Sequence, residues 1–506
     1  MPVRRPADVL AAPGLVACGA LLIGVAIPMA GARAGLLLAA ALVAAFVLYL
    51  LAWPEGGVVL GIFLLFSGAP AVLVNDHGLP AVVALAVPLM FAVPLASKLI
   101  RREGFVIDIG LRWLLVLLVV QMLVTLDARY ADVAQAKLLT FFIEGVVVYF
   151  LVVNVVRTPE SLRRAVWALI AAGGFLACVA IAQQLSGRFD RWFLGFAQLD
   201  SQYLRGTEPV FRSQGPVSDA NYFAQILLPV LALSLVAAWR GRTRAERRLA
   251  ASAAAAFMIA IAFTYSRGGA LALLGILMGL AFFRYLRGVH LAGIVALFAL
   301  LVLLVPGYGD RLGSLAGAVG STAKKTTAST DDFSTAARAT ENKAAFLVFR
   351  EHPVLGVGQG GYELVYQEYA RRVGGVIHTR NSQSARRENV SAGLPPRREA
   401  HNFFLEIAAN MGIAGLLCYC AIIIVTMHQL LRARRRWVAV RPDLEYMATG
   451  MLLAVVGYVT AGIFLTLAYE RYFWLVMAVA GAAARTLLQH TDGADRDPAR
   501  RVNLAT

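Results

Sequence analysis

The chain has 506 residues, of which 59% are hydrophobic and only 15% charged, with a mean hydropathy of +0.69. A soluble domain carries about 45–50% apolar and about 25% charged residues, so this composition excludes a water-soluble protein and implies one that lives in lipid. The formal charge of +17 does not point to nucleic acid, because the basic residues form short clusters between apolar runs rather than one continuous face.

A transmembrane helix needs about 20 apolar residues. On that measure the sequence predicts fourteen spans, near 14–31, 35–52, 56–74, 80–97, 110–126, 137–156, 165–185, 221–239, 249–265, 269–283, 290–306, 402–431, 446–467 and 472–487. Arg4 and Arg5 before the apolar run Gly14–Ala30, followed by Ala30-Gly31-Ala32, have the pattern of a signal segment; a second run begins at Gly35, and the first therefore reads as a signal anchor. Arginine and lysine gather in short cytoplasmic loops. With the N-terminus inside, every dense cluster falls on that side: Lys98, Arg101 and Arg102; Arg157, Arg163 and Arg164; Arg240, Arg242, Arg244, Arg247 and Arg248; Arg284 and Arg287; Arg432, Arg434, Arg435, Arg436 and Arg441. The four cysteines, Cys18, Cys178, Cys418 and Cys420, lie inside apolar runs without disulfide or zinc spacing and read as small core residues.

Two longer segments, Ser186–Ala220 and Gly307–Ala400, fall outside. Within the second, Ser334–Arg350 allows an amphipathic helix, closed by His352-Pro353 and the turn Gly356-Val357-Gly358-Gln359-Gly360-Gly361. Tyr362, Val365, Tyr366 and Tyr369 continue at helical spacing, whereas His378–Arg398 is polar, arginine-rich and reads as a mobile excursion. The expected organisation is an N-terminal membrane part with a first outer segment (1–220), central spans (221–306), a large periplasmic loop (307–400), C-terminal spans (401–488) and a cytoplasmic tail (489–506). The fold class is all-α and polytopic.

Four constellations converge on the outer face. Arg212 lies in Phe211–Pro216, just before Ser218-Asp219-Ala220-Asn221, where Asp219 is placed to cap a helix. Ser266-Arg267-Gly268-Gly269 forms a turn tight enough to hold Arg267 at the membrane interface, its glycines permitting close backbone approach. Arg338 sits on the outer-loop helix. His401-Asn402 opens the span that continues through Glu406, Gly412 and Gly415; on a continuous helix His401, Leu405, Ala408, Gly412 and Gly415 share a stripe against which a neighbouring helix packs. Glu406 lies about 7 Å deeper than His401 by helical rise and reaches it only through an intermediary; Glu144 is membrane-embedded and expected to pair with another helix.

Arginine forks match diphosphate oxygens, and a histidine takes a proton from a hydroxyl near neutral pH. The combination suits displacement of a diphosphate by an alcohol. No Walker loop or dinucleotide motif is present and Asp331-Asp332 is too little for a metal site, so neither metal nor cofactor is expected and the donor should arrive activated.

These residues resemble the O-antigen ligase and O-antigen polymerase superfamily of bacterial envelope glycosyltransferases. The similarity runs over roughly Arg205–Leu431 and is carried by Ser266–Gly268, the Arg338 helix leading into Pro353-Val354-Leu355-Gly356-Val357-Gly358, and His401-Asn402 with Gly412 and Gly415. It implies a GT-C-like fold in the bacterial inner membrane and metal-independent transfer of a saccharide from undecaprenyl diphosphate to an acceptor glycan, such as lipid A-core, on the periplasmic face. By position, His401 is the implied general base, Arg267 and Arg338 the diphosphate clamp, Arg212 and Asn221 an extension of the donor site, and Asn402, Ser266 and Glu406 supporting residues. Ligases of this family usually have fewer spans, and the arginine-rich insert before His401 departs from their pattern. Polymerases share the donor chemistry and differ in the acceptor. A lipid-linked saccharide flippase would line several helices with charge, whereas the intramembrane charges here are few, Glu144 and Glu406.

Overall fold

The computed structural model describes residues 54–79, 86–100, 102–188, 193–203, 209–217, 219–286, 330–374, 398–466 and 470–490, with isolated positions between 288 and 296. The helices are α1 (Pro54–Ser67), α2 (Ala69–Asn75), α3 (Ala86–Ile100), α4 (Ile109–Leu126), α5 (Ala131–Val155), α6 (Pro159–Ser186), α7 (Ala220–Arg240), α8 (Arg244–Ala262), α9 (Arg267–Phe282), α10 (Thr330–Glu351), α11 (Tyr362–Val373), α12 (Phe403–Trp437), α13 (Pro442–Gly462) and α14 (Glu470–Gln489). Seven of the described helices, α4, α5, α6, α7, α12, α13 and α14, are long and apolar enough to cross a membrane; α1 and α2, bent by 56° at Gly68, make an eighth if they act as one span.

The fourteen expected spans are thus met in part. Those at 14–31, 35–52 and 290–306 lie outside the described residues, as does 375–397, the greater part of the arginine-rich insert. The expected span at 249–265 is α8, which starts five residues earlier on a charged first turn capped by Thr243, and the one at 269–283 is the 16-residue α9. The chain is helical as expected, with one small addition: the segment before α7 forms an antiparallel hairpin, β1 (Gln198–Tyr203) with β2 (Pro209–Gly215). Its second strand is held by tertiary contact: the Ser213 N–H donates to the Phe263 carbonyl at 3.0 Å.

The core lies on α7, which packs against α8 and α13 and is buried on nearly every face. By contrast, α4 leaves Leu115, Val116, Val119, Met122, Leu123 and Leu126 exposed, an apolar stripe suited to lipid tails. In α5 the turn Phe141–Val147 widens to a π-helix carrying Glu144, whose carboxylate accepts from the Arg471 backbone N–H of α14.

Direct contacts tie the basic clusters together at one end. Arg157 lies 3.5 Å from Glu103, which also holds Lys98 at 3.1 Å; Arg163 pairs with Glu246; Arg240 lies over the Tyr285 ring and Arg434 over the Phe283 ring. From there α7, α8 and α9 run to the opposite end, about 24–32 Å away at 1.5 Å per residue for helices of 16 to 21 residues. The candidate residues sit at that far end.

Candidate active site

Two helices begin side by side at the far end. Asp219 caps α7, its carboxylate accepting from Asn221 N (2.6 Å) and Tyr222 N (3.3 Å); Ser266 caps α9, its hydroxyl accepting from Gly269 N at 3.1 Å. The turn between α8 and α9 puts Tyr265 at φ +51° and leaves Arg267 as the first residue of α9. A Cβ on Gly269 would lie 2.9 Å from the Ala224 Cβ, so glycine lets α9 touch α7 here.

Arg212, on β2 and only 4% exposed, staples this junction. Its Nε donates to the Thr264 carbonyl at 2.8 Å and one Nη to Asn221 Oδ1 at 3.0 Å. Asn221 therefore orients Arg212, and Ser266 shapes the turn that presents Arg267.

The turn that follows α10 reaches the site through a break in α12. Gly412 has φ +61°, ψ −160°, and the helix hydrogen bonds lost around it are replaced by the turn after α10. Val357 N and Gly358 N donate to the Ala409 and Asn410 carbonyls at 3.0 and 3.1 Å, while Ile413 N donates to the Pro353 carbonyl at 2.8 Å. A Cβ on Gly412 would lie 2.2 Å from the Val354 oxygen, and one on Gly356 2.3 Å from the Asn410 carbonyl carbon. The expected stripe of His401, Gly412 and Gly415 is thus corrected. The α12 helix starts only at Phe403 and breaks at Gly412, whose neighbour is this turn rather than a helix, and a Cβ on Gly415 would meet Met411 of its own helix.

Above the turn, α10 and α11 pack through Ala344, Ala345, Val348, Tyr362, Val365 and Tyr366, as the aromatic spacing in the sequence implies. Tyr362 donates through its hydroxyl to the Glu341 carbonyl at 2.7 Å. That packing fixes the face of α10 on which Arg338 and Glu341, one turn apart, both lie.

His401 occupies a left-handed position, φ +49°, in the short segment 398–402, and four ties hold it there. Arg398 N donates to the Glu363 carbonyl (3.1 Å); the Glu399 carboxylate accepts from the Tyr222 and Thr466 hydroxyls; Ala400 N donates to the Glu406 carboxylate (2.9 Å); Asn402 caps α12 by accepting from Leu405 N (3.1 Å). Glu406 and Asn402 act on the backbone around the histidine. Glu406 otherwise lines a cavity of about 30 Å³ with Lys137, Glu363 and Glu470, room for one or two water molecules.

The residue that meets the histidine is Glu341, a carboxylate 2% exposed whose Oε2 lies 3.0 Å from His401 Nδ1, with Oε1 3.5 Å from Arg398 Nε. Sequence reasoning missed it, although its spacing of three from Arg338 was the available signal. Burial pulls the His401 pKa down, but the Glu341 carboxylate outweighs that and, with Glu399, leaves it above the ordinary value despite Arg338. Arg338 is shifted the other way. Burial and then the like charge of Arg267, with a smaller push from Arg212, lower its pKa against the pull of Asp219 and Glu341. Arg338 is therefore near enough to Arg267, Arg212 and His401 for their charges to interact with its own. Among the described residues Arg338 makes no hydrogen bond or ion pair, and no His, Cys, Asp and Glu cluster is arranged to hold a metal.

Residues 252–420 match the family model described as O-antigen ligase. The match supports a place in the O-antigen ligase and polymerase superfamily for this part of the chain. Ser266, Arg267, Arg338, Glu341, His401, Asn402 and Glu406 lie inside the matched region, while Arg212 and Asn221 precede it. No curated protein matches the chain. The match suggests a glycosyltransferase-type enzyme, and the apolar helices suggest a multi-pass membrane protein.

Proposed function

We propose that the protein transfers a saccharide from undecaprenyl diphosphate to an acceptor glycan, such as lipid A-core, at the periplasmic face of the bacterial inner membrane. The observation that carries this reading is Arg338: a half-buried guanidinium beside two like charges, without an ion pair among the described residues. Such a cluster favours a polyanion in its midst. A diphosphate lying near Arg338 and Arg267, with the N-terminus of α9 adding its partial positive charge, would satisfy it.

His401 completes the chemistry. All its contacts with described residues run through Nδ1, leaving Nε2 for the acceptor. Nε2 takes the proton of the acceptor hydroxyl, its oxygen forms a bond to the anomeric carbon, and the carbon–oxygen bond to the diphosphate breaks. Undecaprenyl diphosphate leaves with that electron pair, its charge held by the arginines. A polymerase has the same donor half and takes a growing lipid-linked glycan as acceptor.

The test is transfer by the purified protein in detergent, with an undecaprenyl-diphosphate oligosaccharide as donor and lipid A-core or a second donor molecule as acceptor. His401→Ala should lower transfer by about 10²–10⁴-fold while donor binding persists, the usual worth of a general base. Undiminished transfer removes His401 from the mechanism. Product on lipid A-core identifies a ligase, and product on the second donor a polymerase.

A further inference from the structure

We infer that Glu341 is the positioning residue of the transfer site, fixing the tautomer and orientation of His401 so that Nε2 faces the acceptor as a base; this rests on the reading of His401 given above. Three observations support it. Glu341 is 2% exposed on a helix whose polar sequence, Thr340-Glu341-Asn342, would otherwise face water, so the fold has gone out of its way to bury a carboxylate. Its two oxygens are divided between His401 Nδ1 at 3.0 Å and Arg398 Nε at 3.5 Å, so the carboxylate is held from both sides. Arg338 stands one turn earlier on the same helix, so α10 carries a guanidinium aimed at the donor and a carboxylate aimed at the base as one rigid unit.

The physical consequence is specific. A carboxylate can only accept, so the neutral imidazole carries its proton on Nδ1 and presents a lone pair at Nε2; when Nε2 takes the acceptor proton, the imidazolium forms beside a negative charge. The charged groups acting on His401 are Glu341 and Arg338 from α10 and Glu399 from its own segment, and Glu341 is the strongest of the three. With Glu341 in place the acid limb of the rate profile lies above the ordinary histidine value of about 6.5, and transfer falls as pH drops through it.

Glu341→Gln separates positioning from scaffolding. Its amide is neutral, and its NH₂ can donate to Nδ1, which puts the imidazole proton on Nε2 where it blocks the base. Transfer should fall about 10–100-fold in kcat with KM for the donor nearly unchanged, and its acid limb should move to lower pH. Glu341→Asp, which keeps the charge on a shorter arm, should restore the pH profile and part of the rate. The His401 titration, followed by NMR of ¹⁵N-histidine-labelled protein with His401→Ala used for assignment, should move down in Glu341→Gln without any substrate present. That readout holds whether or not His401 is the base, so a shifted titration with undiminished transfer in His401→Ala sinks the mechanism and leaves the contact standing. An unshifted titration and an unmoved acid limb in a folded Glu341→Gln protein, with only its melting temperature lowered, overturn the positioning role.

Discussion

The two ends of the helical bundle use arginine in opposite ways. At the basic end, Arg157, Arg163, Arg434 and Arg441 each lie within 3.5 Å of a carboxylate, from Glu103, Glu246, Glu445 and Asp443 respectively. At the far end, Arg212 donates to a carbonyl and an amide oxygen, and burial and then the like charge of Arg267 lower the pKa of Arg338. Charge at the first end is paired within the protein, whereas Arg338 at the second has no ion pair among the described residues. Abundance of arginine is therefore no guide to function here. What distinguishes Arg338 from the arginines of the basic end is that no carboxylate pairs with it among the described residues.

The largest effect on this contrast should come from removing the scaffold beneath the far end. Gly412→Val places a branched side chain at φ +61° against the Val354 backbone, which only a shift of the docking turn could relieve. A cost of about 3 kcal/mol or more is expected, seen as loss of the folded peak in detergent or a melting temperature lowered by several degrees, with transfer abolished. Survival of full transfer in this variant would mean that α10 is held by something other than the break in α12.

Next in size is the clamp. Arg338→Gln removes one charge-assisted donor worth about 1.5–3 kcal/mol, so the catalytic efficiency towards the donor should fall about 10–100-fold, with stability unchanged or raised because a repulsive neighbour of Arg267 is gone. Arg212→Gln should cost transfer and stability together, since Arg212 also ties β2 to the α8–α9 turn and to Asn221; a loss of about 1–3 kcal/mol for its orphaned partners is expected in denaturant titration. The smallest effect should come from the basic end. Arg163→Gln breaks a part-exposed pair with Glu246 and should cost less than about 1 kcal/mol, leaving transfer per folded molecule within about twofold of wild type.

Much of this contrast can be read in the sequence, and the part that cannot has a physical reason. The arginine clusters after 97, 156, 239, 283 and 431 foretell one shared end because a short loop cannot carry dense positive charge across a membrane, and in the structure those clusters meet. Arg212, Arg267, Arg338 and His401 stand out because each is a cation at an apolar boundary. Glu341 does not. On a helix of mean polarity it looks solvated, and only the aromatic face of α11 and the return of 398–401 over it create the burial that gives it meaning. Gly412 was visible as a glycine inside a long apolar run, which costs about 1 kcal/mol against alanine and so wants a reason, yet nothing local says that the reason is a backbone docking site some 60 residues away in the chain. Asn221, Asn402 and Glu406, expected as supporting residues, each hold another residue, a backbone amide or a helix end in place.

The most direct test of the contrast is binding of undecaprenyl diphosphate to detergent-purified protein, measured by thermophoresis for wild type, Arg338→Gln and Arg163→Gln at one ionic strength. The account predicts that Arg338→Gln binds about 10–100-fold more weakly while Arg163→Gln is indistinguishable from wild type. Equal affinity for all three would contradict it, because the far-end arginines would then hold no diphosphate.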